Sequence, residues 1–261
     1  LSSAIEVFDV WKRFTRAGRN VDALQNISLT VAPQEFAAIL GPSGCGKSTL
    51  LNMVAGFDKP SGGAVTVNGQ GVEGPSPKRG VVFQEPALFP WYTVLDNVVF
   101  GPKQQNRKSS EYLPQAEHFI EQVGLKGFSS HYPAELSGGM KQRVGLARVL
   151  IMQPEVLLMD EPFGALDAQT RSLMQELLLM VWERHRQTVL FITHDIEEAL
   201  LLADTIHVMT ARPGRVKETV RVSFPRPRSF DVTLSPEFSV LKRRIRELIR
   251  DEAIKAEHAA R

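Results

Sequence analysis

The sequence predicts an α/β fold with a mainly parallel sheet, an N-terminal antiparallel β layer and an inserted α-helical subdomain. Three observations predict it. Phe36–Leu40, Val156–Met159 and Thr188–Thr193 are continuous apolar runs, the pattern of strands buried on both faces. Helical patterns alternate with these runs, as in parallel α/β sheets. Near the N-terminus, Ile5–Val10 and Ile27–Val31 instead alternate apolar with polar residues, as half-buried strands of an added layer do.

Taken in order, the first two strands flank a polar loop, Arg16-Ala17-Gly18-Arg19-Asn20. Phe36–Leu40 is a buried strand, followed by a glycine-rich turn and a helix from Ser48 to Ala55 that Gly56 stops. Ala64–Val67 with Asn68-Gly69 is a strand and turn. Gly80–Phe83 is a short strand ended by Gln84. Residues 84–102 are rich in proline and aromatics, and Leu88, Phe89, Trp91 and Tyr92 make them too apolar for a solvated loop. Leu113–Val123 reads as a helix with Pro114 in its first turn and Gly124 as its stop. The helical subdomain thus covers about residues 85–153. Ser137-Gly138-Gly139 opens a helix from Met140 to Met152, and Val156–Met159 is a strand closed by Asp160-Glu161-Pro162. Asp167 opens a helix to about Arg186, Thr188–Thr193 is a strand ended by His194, Ile196–Ala203 a helix and Thr205–Met209 a strand. Residues 1–224 form the principal domain and 225–261 a tail. Pro225-Arg226-Pro227-Arg228 breaks structure there before a helix from Pro236 to about Ala256, striped by Leu241, Ile245, Leu248 and Ile249. Lys242, Arg243, Arg244, Arg246 and Arg250 lie mainly off that stripe, as a solvated face or as a surface drawn to anionic lipid.

A chain of 261 residues with 43% hydrophobic content is long enough for a substantial core. Its net charge of +2 lacks the positive field of a nucleic-acid binder, so no nucleic-acid partner is expected. Cys45 is the one cysteine, which excludes an intrachain disulfide. No signal pattern opens the sequence, and no apolar run reaches the ~20 residues that span a bilayer. A cytoplasmic chain is expected.

The chemistry concentrates in Gly41-Pro42-Ser43-Gly44-Cys45-Gly46-Lys47-Ser48-Thr49, between a strand and a helix. Triphosphate oxygens need several backbone N–H donors converging at close range. Gly41, Gly44 and Gly46 remove side chains that would block that approach, and the helix start adds unpaired N–H groups. Lys47 would reach the terminal phosphates and Ser48 would ligate Mg²⁺. Cys45, near Lys47 and a helix start, either has surroundings that favour thiolate or is a small filler residue. Gln84, Asp160, Glu161 and His194 all end strands, and in parallel sheets those ends gather at the ligand crevice. Asp160 would hold Mg²⁺, Gln84 would sense metal and water, Glu161 would act as general base toward the attacking water, and His194 would contact the γ-phosphate. Phe14 is either an adenine-stacking aromatic or a core residue. Ser137, Gly138 and Gly139, followed by Gln142, make a second helix start able to meet an anion; it is a plain cap or serves another nucleotide.

In these residues the chain resembles the ATP-binding subunits of ABC transporters. Gly41–Thr49 is similar to that family's Walker A loop, Gln84 to its Q-loop glutamine, Val156–Asp160 to its Walker B strand and Leu136–Gln142 to its signature motif. Glu161 matches the catalytic glutamate, Asp167 the D-loop, His194 the switch histidine, and Phe14 stands where a tyrosine is commoner. The resemblance covers roughly residues 5–215. It implies a P-loop ATPase core that uses ATP and Mg²⁺, in a homodimer whose two subunits sandwich two ATP, each signature motif facing the other subunit's nucleotide. Leu88–Val98 and the tail are similar to those of nitrate, sulfonate and taurine importers. That implies integral membrane permease subunits, a periplasmic or extracellular solute-binding protein acting indirectly, and a peripheral place on the inner face of the cell membrane. DNA-repair relatives carry a coiled coil between phosphate loop and signature, whereas Lys47 to Ser137 here is 90 positions with no heptad run. Translation-type relatives carry two cassettes, and one is found.

Overall fold

The structure is a computed structural model that describes residues 5–16 and 19–259. Its elements run β1 (Ile5–Arg16), β2 (Arg19–Val31), β3 (Phe36–Leu40), α1 (Lys47–Ala55), β4 (Gly62–Val67), β5 (Gln70–Gly71), β6 (Arg79–Val82), α2 (Val94–Gln104), α3 (Ser109–Gln122), α4 (Gly138–Leu150), β7 (Val156–Asp160), α5 (Ala168–His185), β8 (Thr188–Thr193), α6 (Ile196–Leu202), β9 (Thr205–Met209), β10 (Val216–Arg221) and α7 (Pro236–Ala259). They form two compact units: one joins the chain up to Ser76 with the chain from Arg186 onward, and the other is Pro77–His185.

In the first unit β3 pairs in parallel with β8 and β9, and β9 pairs antiparallel with β10. All five residues of β3 and all six of β8 are buried, as an apolar run without alternation requires. Phe36 meets Phe191 of β8 at 5.7 Å between ring centroids. Side chains of this size each stabilise by about 1.5–3 kcal/mol when buried. A separate antiparallel layer is ordered β2-β1-β4-β5. In β1, Ile5 and Val7 face inward, and the register shifts before Val10, which also faces inward. Asp9, at φ 45°, is the extra residue that resets the alternation.

In the second unit β6 and β7 pair in parallel from Arg79↔Val156 to Val82↔Met159, and α2, α3 and α4 lie between them in sequence. α4 packs so closely on β6 that a Cβ on Gly80 would stand 2.4 Å from Val149 Cγ1.

Four expectations need correction. The first two strands extend through most of the expected polar loop, and Ala17 and Gly18 lie outside the described residues. A helix not expected, α2, occupies Val94–Gln104: Thr93 caps it by accepting from the Asp96 N–H at 3.1 Å. α3 begins at Ser109, four residues earlier than expected, so Pro114 lies inside the helix. β10 was also missed, because Val216–Arg221 is an edge strand rich in charge.

The tail is irregular at residues 222–229, as its prolines require, yet it is pinned. Arg228 is buried and donates to the carbonyls of Ala203 at 2.7 Å and Leu201 and Val222 at 3.3 Å, with Asp204 Oδ1 at 3.2 Å. α7 buries Phe238 and Ile245. On its basic face Lys242 pairs with Glu197 and Arg244 with Glu218, while Arg243, Arg246 and Arg250 are exposed.

Candidate functional site

The first unit carries the loop from Gly41 to Gly46 at the carboxyl end of β3. Gly44 and Gly46 have φ of 74° and 100°, a conformation that strains any residue with a Cβ. A Cβ on Gly46 would also collide with Leu24 Cδ2 at 2.6 Å, and one on Gly41 would crowd Cys45 Sγ at 3.0 Å and Met209 Cβ at 3.1 Å. The glycine spacing therefore fixes one loop path. Gly46 opens α1, with the Leu50 N–H donating to its carbonyl at 2.9 Å. No acidic side chain lies in the first turn, so the positive end of the helix is uncompensated there. Lys47 is buried, and its Nζ donates to the Gly41 and Pro42 carbonyls at 2.9 and 3.1 Å. Ser48 is exposed and Thr49 half-buried. Cys45 is fully buried, its Sγ against Gly41 and its carbonyl oxygen against Gly214.

Parallel pairing sets Leu40 opposite Thr193, so the loop after β3 and His194 after β8 leave the sheet at the same edge. His194 is exposed, and Asp195 next to it caps α6 by accepting from the Glu197 and Glu198 N–H groups at 2.8 and 3.1 Å. Phe14 is 43% exposed on β1, opposite Val21, with Lys12 Nζ 4.9 Å from its ring centroid. That excludes the core reading of Phe14 and leaves an aromatic face available for stacking.

In the second unit Asp160 ends β7 and Glu161 follows at φ 45°, so the turn aims the two carboxylates differently. Gln84 lies two residues past β6, the parallel neighbour of β7. A Cβ on Gly164 would stand 3.1 Å from Gln84 Nε2 and 3.8 Å from Glu161 Oε2, which places those two side chains around the same small residue. Asp167 is exposed, and the N–H of Thr170 donates to its Oδ1 at 3.0 Å, holding its carboxyl below the usual carboxylate range. Ser137 caps α4 by accepting from Met140 N–H at 3.3 Å, and Ser137 and Gly138 are exposed. Gly139 is buried, where a Cβ would meet Thr170 Cγ2 at 2.4 Å, so glycine lets α4 begin against α5. Gln142, four residues after Gly138, is buried, and its Nε2 donates to the Phe83 carbonyl at 3.1 Å. It braces the residue before Gln84.

The aromatic segment after Gln84 is largely packed on itself. Of its large side chains only Trp91 is well exposed, at 67%. Phe89 packs on Phe100 at 4.6 Å and on Tyr92 at 5.5 Å. Asn97, fully buried, is the reason: its Oδ1 accepts from Phe89 N–H at 2.9 Å, and its Nδ2 shares two hydrogens among the carbonyls of Phe89, Tyr92 and Thr93. Arg148 donates to the carbonyls of Pro86 and Ala87 at 2.7 and 2.9 Å, and burial lowers its pKa. Sequence reasoning missed both residues.

A strand–glycine loop–helix of this geometry defines a P-loop nucleotide-binding protein. The ABC transporter family model matches residues 24–164, and the chain belongs to that family of ATP-binding ATPases. It is 47% identical to an uncharacterized ABC transporter ATP-binding protein of Methanocaldococcus jannaschii, over 97% of this chain and 93% of that protein. It is 44% identical to the nitrate import ATP-binding protein of Synechocystis sp., over 94% and 95%. It is 50% identical to the taurine import ATP-binding protein of Jannaschia sp., over 79% and 77%. A solved dimeric ATP-binding cassette, in a post-hydrolysis state bound to ADP and Pi, superposes with TM-score 0.75 at 31% identity, covering 85% of this chain and all of that one.

Proposed function

We propose that this chain is the ATP-hydrolysing subunit of an importer for a small anion such as taurine, another aliphatic sulfonate or nitrate. The observation that carries the reading is the loop from Gly41 to Lys47. Two left-handed glycines open onto a helix start, and a buried lysine is turned over the loop's own carbonyls. Backbone N–H groups there would bind the phosphates, Lys47 would neutralise the terminal ones, and Phe14 would stack on the adenine. The residues also suit Mg²⁺. Among the described residues no group of three or more His, Cys, Asp and Glu could cage a metal. Mg²⁺ bound with a nucleotide needs only a hydroxyl and a carboxylate beside phosphate oxygens. Ser48, Asp160 and Gln84 would hold it, and it would supply charge neutralisation at the β- and γ-oxygens. Glu161 would take a proton from the attacking water, and His194 would contact the γ-phosphate.

The solute class comes from the nitrate and taurine import relatives. Two copies would sandwich two ATP, with Ser137, Gly138 and Gly139 of each reaching the other's nucleotide and Asp167 near the subunit boundary. Gln142 would support that motif from inside α4. Among the described residues no helix is long and apolar enough to cross a membrane. The subunit would work peripherally on the inner face, against permease subunits fed by a solute-binding protein. Trp91 would be the anchor on the permease side.

The test is reconstitution with permease and binding protein in vesicles, measuring uptake of labelled taurine, alkanesulfonate and nitrate. Uptake of one of them that needs ATP on the subunit's side is the expected result. An assembled complex that hydrolyses ATP and transports none of the three would overturn the solute class, and a complex without ATP turnover would overturn the function.

A further inference from the structure

We propose that Arg212 is a positioning residue for the phosphate loop and that Glu252 of α7 holds it in place. The proposal deepens the nucleotide-binding reading of the loop and depends on it. Arg212 lies between β9 and β10. Its Nε and Nη2 donate to the Gly44 carbonyl at 3.3 and 3.2 Å. Gly44 is one of the two left-handed residues of the loop. In a trans peptide the carbonyl and the following N–H point in opposite directions. Holding the Gly44 oxygen therefore also sets the direction of the Cys45 N–H, which donates to the Pro42 carbonyl at 3.4 Å. The guanidinium fixes one peptide plane of the cradle and adds a positive charge beside it. Its two-pronged contact is one that lysine reproduces only in charge.

The turn that carries Arg212 is itself built. Thr210 Oγ1 donates toward the Ala211 and Pro213 carbonyls and accepts from Arg215 N–H at 3.0 Å. Gly214 fastens the turn to β2, its N–H donating to Ala23 O and its carbonyl accepting from Gln25 N–H, both at 2.9 Å. A Cβ on Gly214 would lie 2.0 Å from the Cys45 carbonyl, so the turn lies directly against the loop. At the other end, the Ala211 N–H donates to Glu252 Oε2 at 3.3 Å, and Glu252 Oε1 pairs with Lys217 Nζ at 2.8 Å. Glu252 is buried, so that carboxylate sits in a medium where its bonds are strong. A continuous path thus runs from α7 through Ala211 and Arg212 to Gly44.

The experiment is titration of the purified full chain with N-methylanthraniloyl-ATP and Mg²⁺, with thermal melting of every variant. R212A weakens binding about five- to tenfold, as loss of a charge-assisted hydrogen bond at an exposed site does, with an unchanged melting temperature. R212K recovers part of the loss. E252Q weakens binding less, and R212A/E252Q binds no more weakly than R212A alone, because the two residues act along one path. Binding by R212A within twofold of wild type, where K47A has lost it, overturns the positioning role alone. Full additivity in the double variant overturns the part given to Glu252. A wild-type chain that binds no nucleotide overturns the reading of the loop itself.

Discussion

The loop at Gly41–Gly46 and the segment at Gln84–Thr93 are both irregular chain near a short strand, and they hold their shapes by opposite means. The loop is shaped by what its residues lack. Gly44 and Gly46 take left-handed conformations, and added side chains at Gly41 and Gly46 would collide with Cys45, Met209 and Leu24. The segment is shaped by what distant residues supply, since Asn97 gathers the backbone of Phe89, Tyr92 and Thr93 and Arg148 holds Pro86 and Ala87. A loop that binds through its backbone has its function written locally, in glycine spacing. A loop that presents one side chain, Trp91, depends on bonds made elsewhere.

The largest effect that separates the two is Lys47→Ala. It should cost about a hundredfold or more in nucleotide affinity, measured by equilibrium titration, while leaving the aromatic segment unchanged. Asn97→Ala should do the reverse. Removing a fully buried amide with four partners should destabilise by about 3–4 kcal/mol, seen in denaturant unfolding, and should alter Trp91 fluorescence. A smaller cost would mean that aromatic packing alone folds the segment.

The buried strands of the first unit give a third test, away from both loops. His207 on β9 has its pKa lowered to about 4, first by burial, with Nδ1 3.1 Å from Thr219 Oγ1. The unfolded chain takes up this proton near pH 6.5 and the folded chain does not, so stability is full above that pH. It should fall as pH drops from about 6.5 to 4, by about 3 kcal/mol in all. His207→Gln should flatten that part of the stability profile relative to wild type. The smallest effect is expected at Trp91→Glu. An exposed ring should change stability by less than about 0.5 kcal/mol, while capture of the permease subunits should weaken. Loss of stability on that scale or above would mean that Trp91 serves the segment's own packing.

How much was legible follows the same division. β3, β7 and β8 were readable because burial on both faces leaves an unbroken apolar run, and the phosphate loop because glycine has no substitute at positive φ. α2 was not readable, since Pro102 within it and the aromatics before it resemble a loop, and its start depends on Thr93 and Asp96. The contact of Gln142 with Phe83 was not legible, because a partner 59 positions away leaves no mark beside the Ser137-Gly138-Gly139 start of α4. Arg212 was invisible, because nothing within five residues of it marks a contact 168 positions away. Phe14 stood between two readings until its place on an exposed strand face decided against the core.

The central claim is that the Gly41–Thr49 loop binds ATP and that Glu161, beside it in role, activates the water that splits it. The most direct test is Glu161→Gln, with nucleotide affinity and steady-state ATP turnover measured on the same preparation. Affinity within about threefold of wild type, with turnover lower by about a hundredfold or more, is the predicted result for a lost general base. Turnover close to wild type would contradict the account.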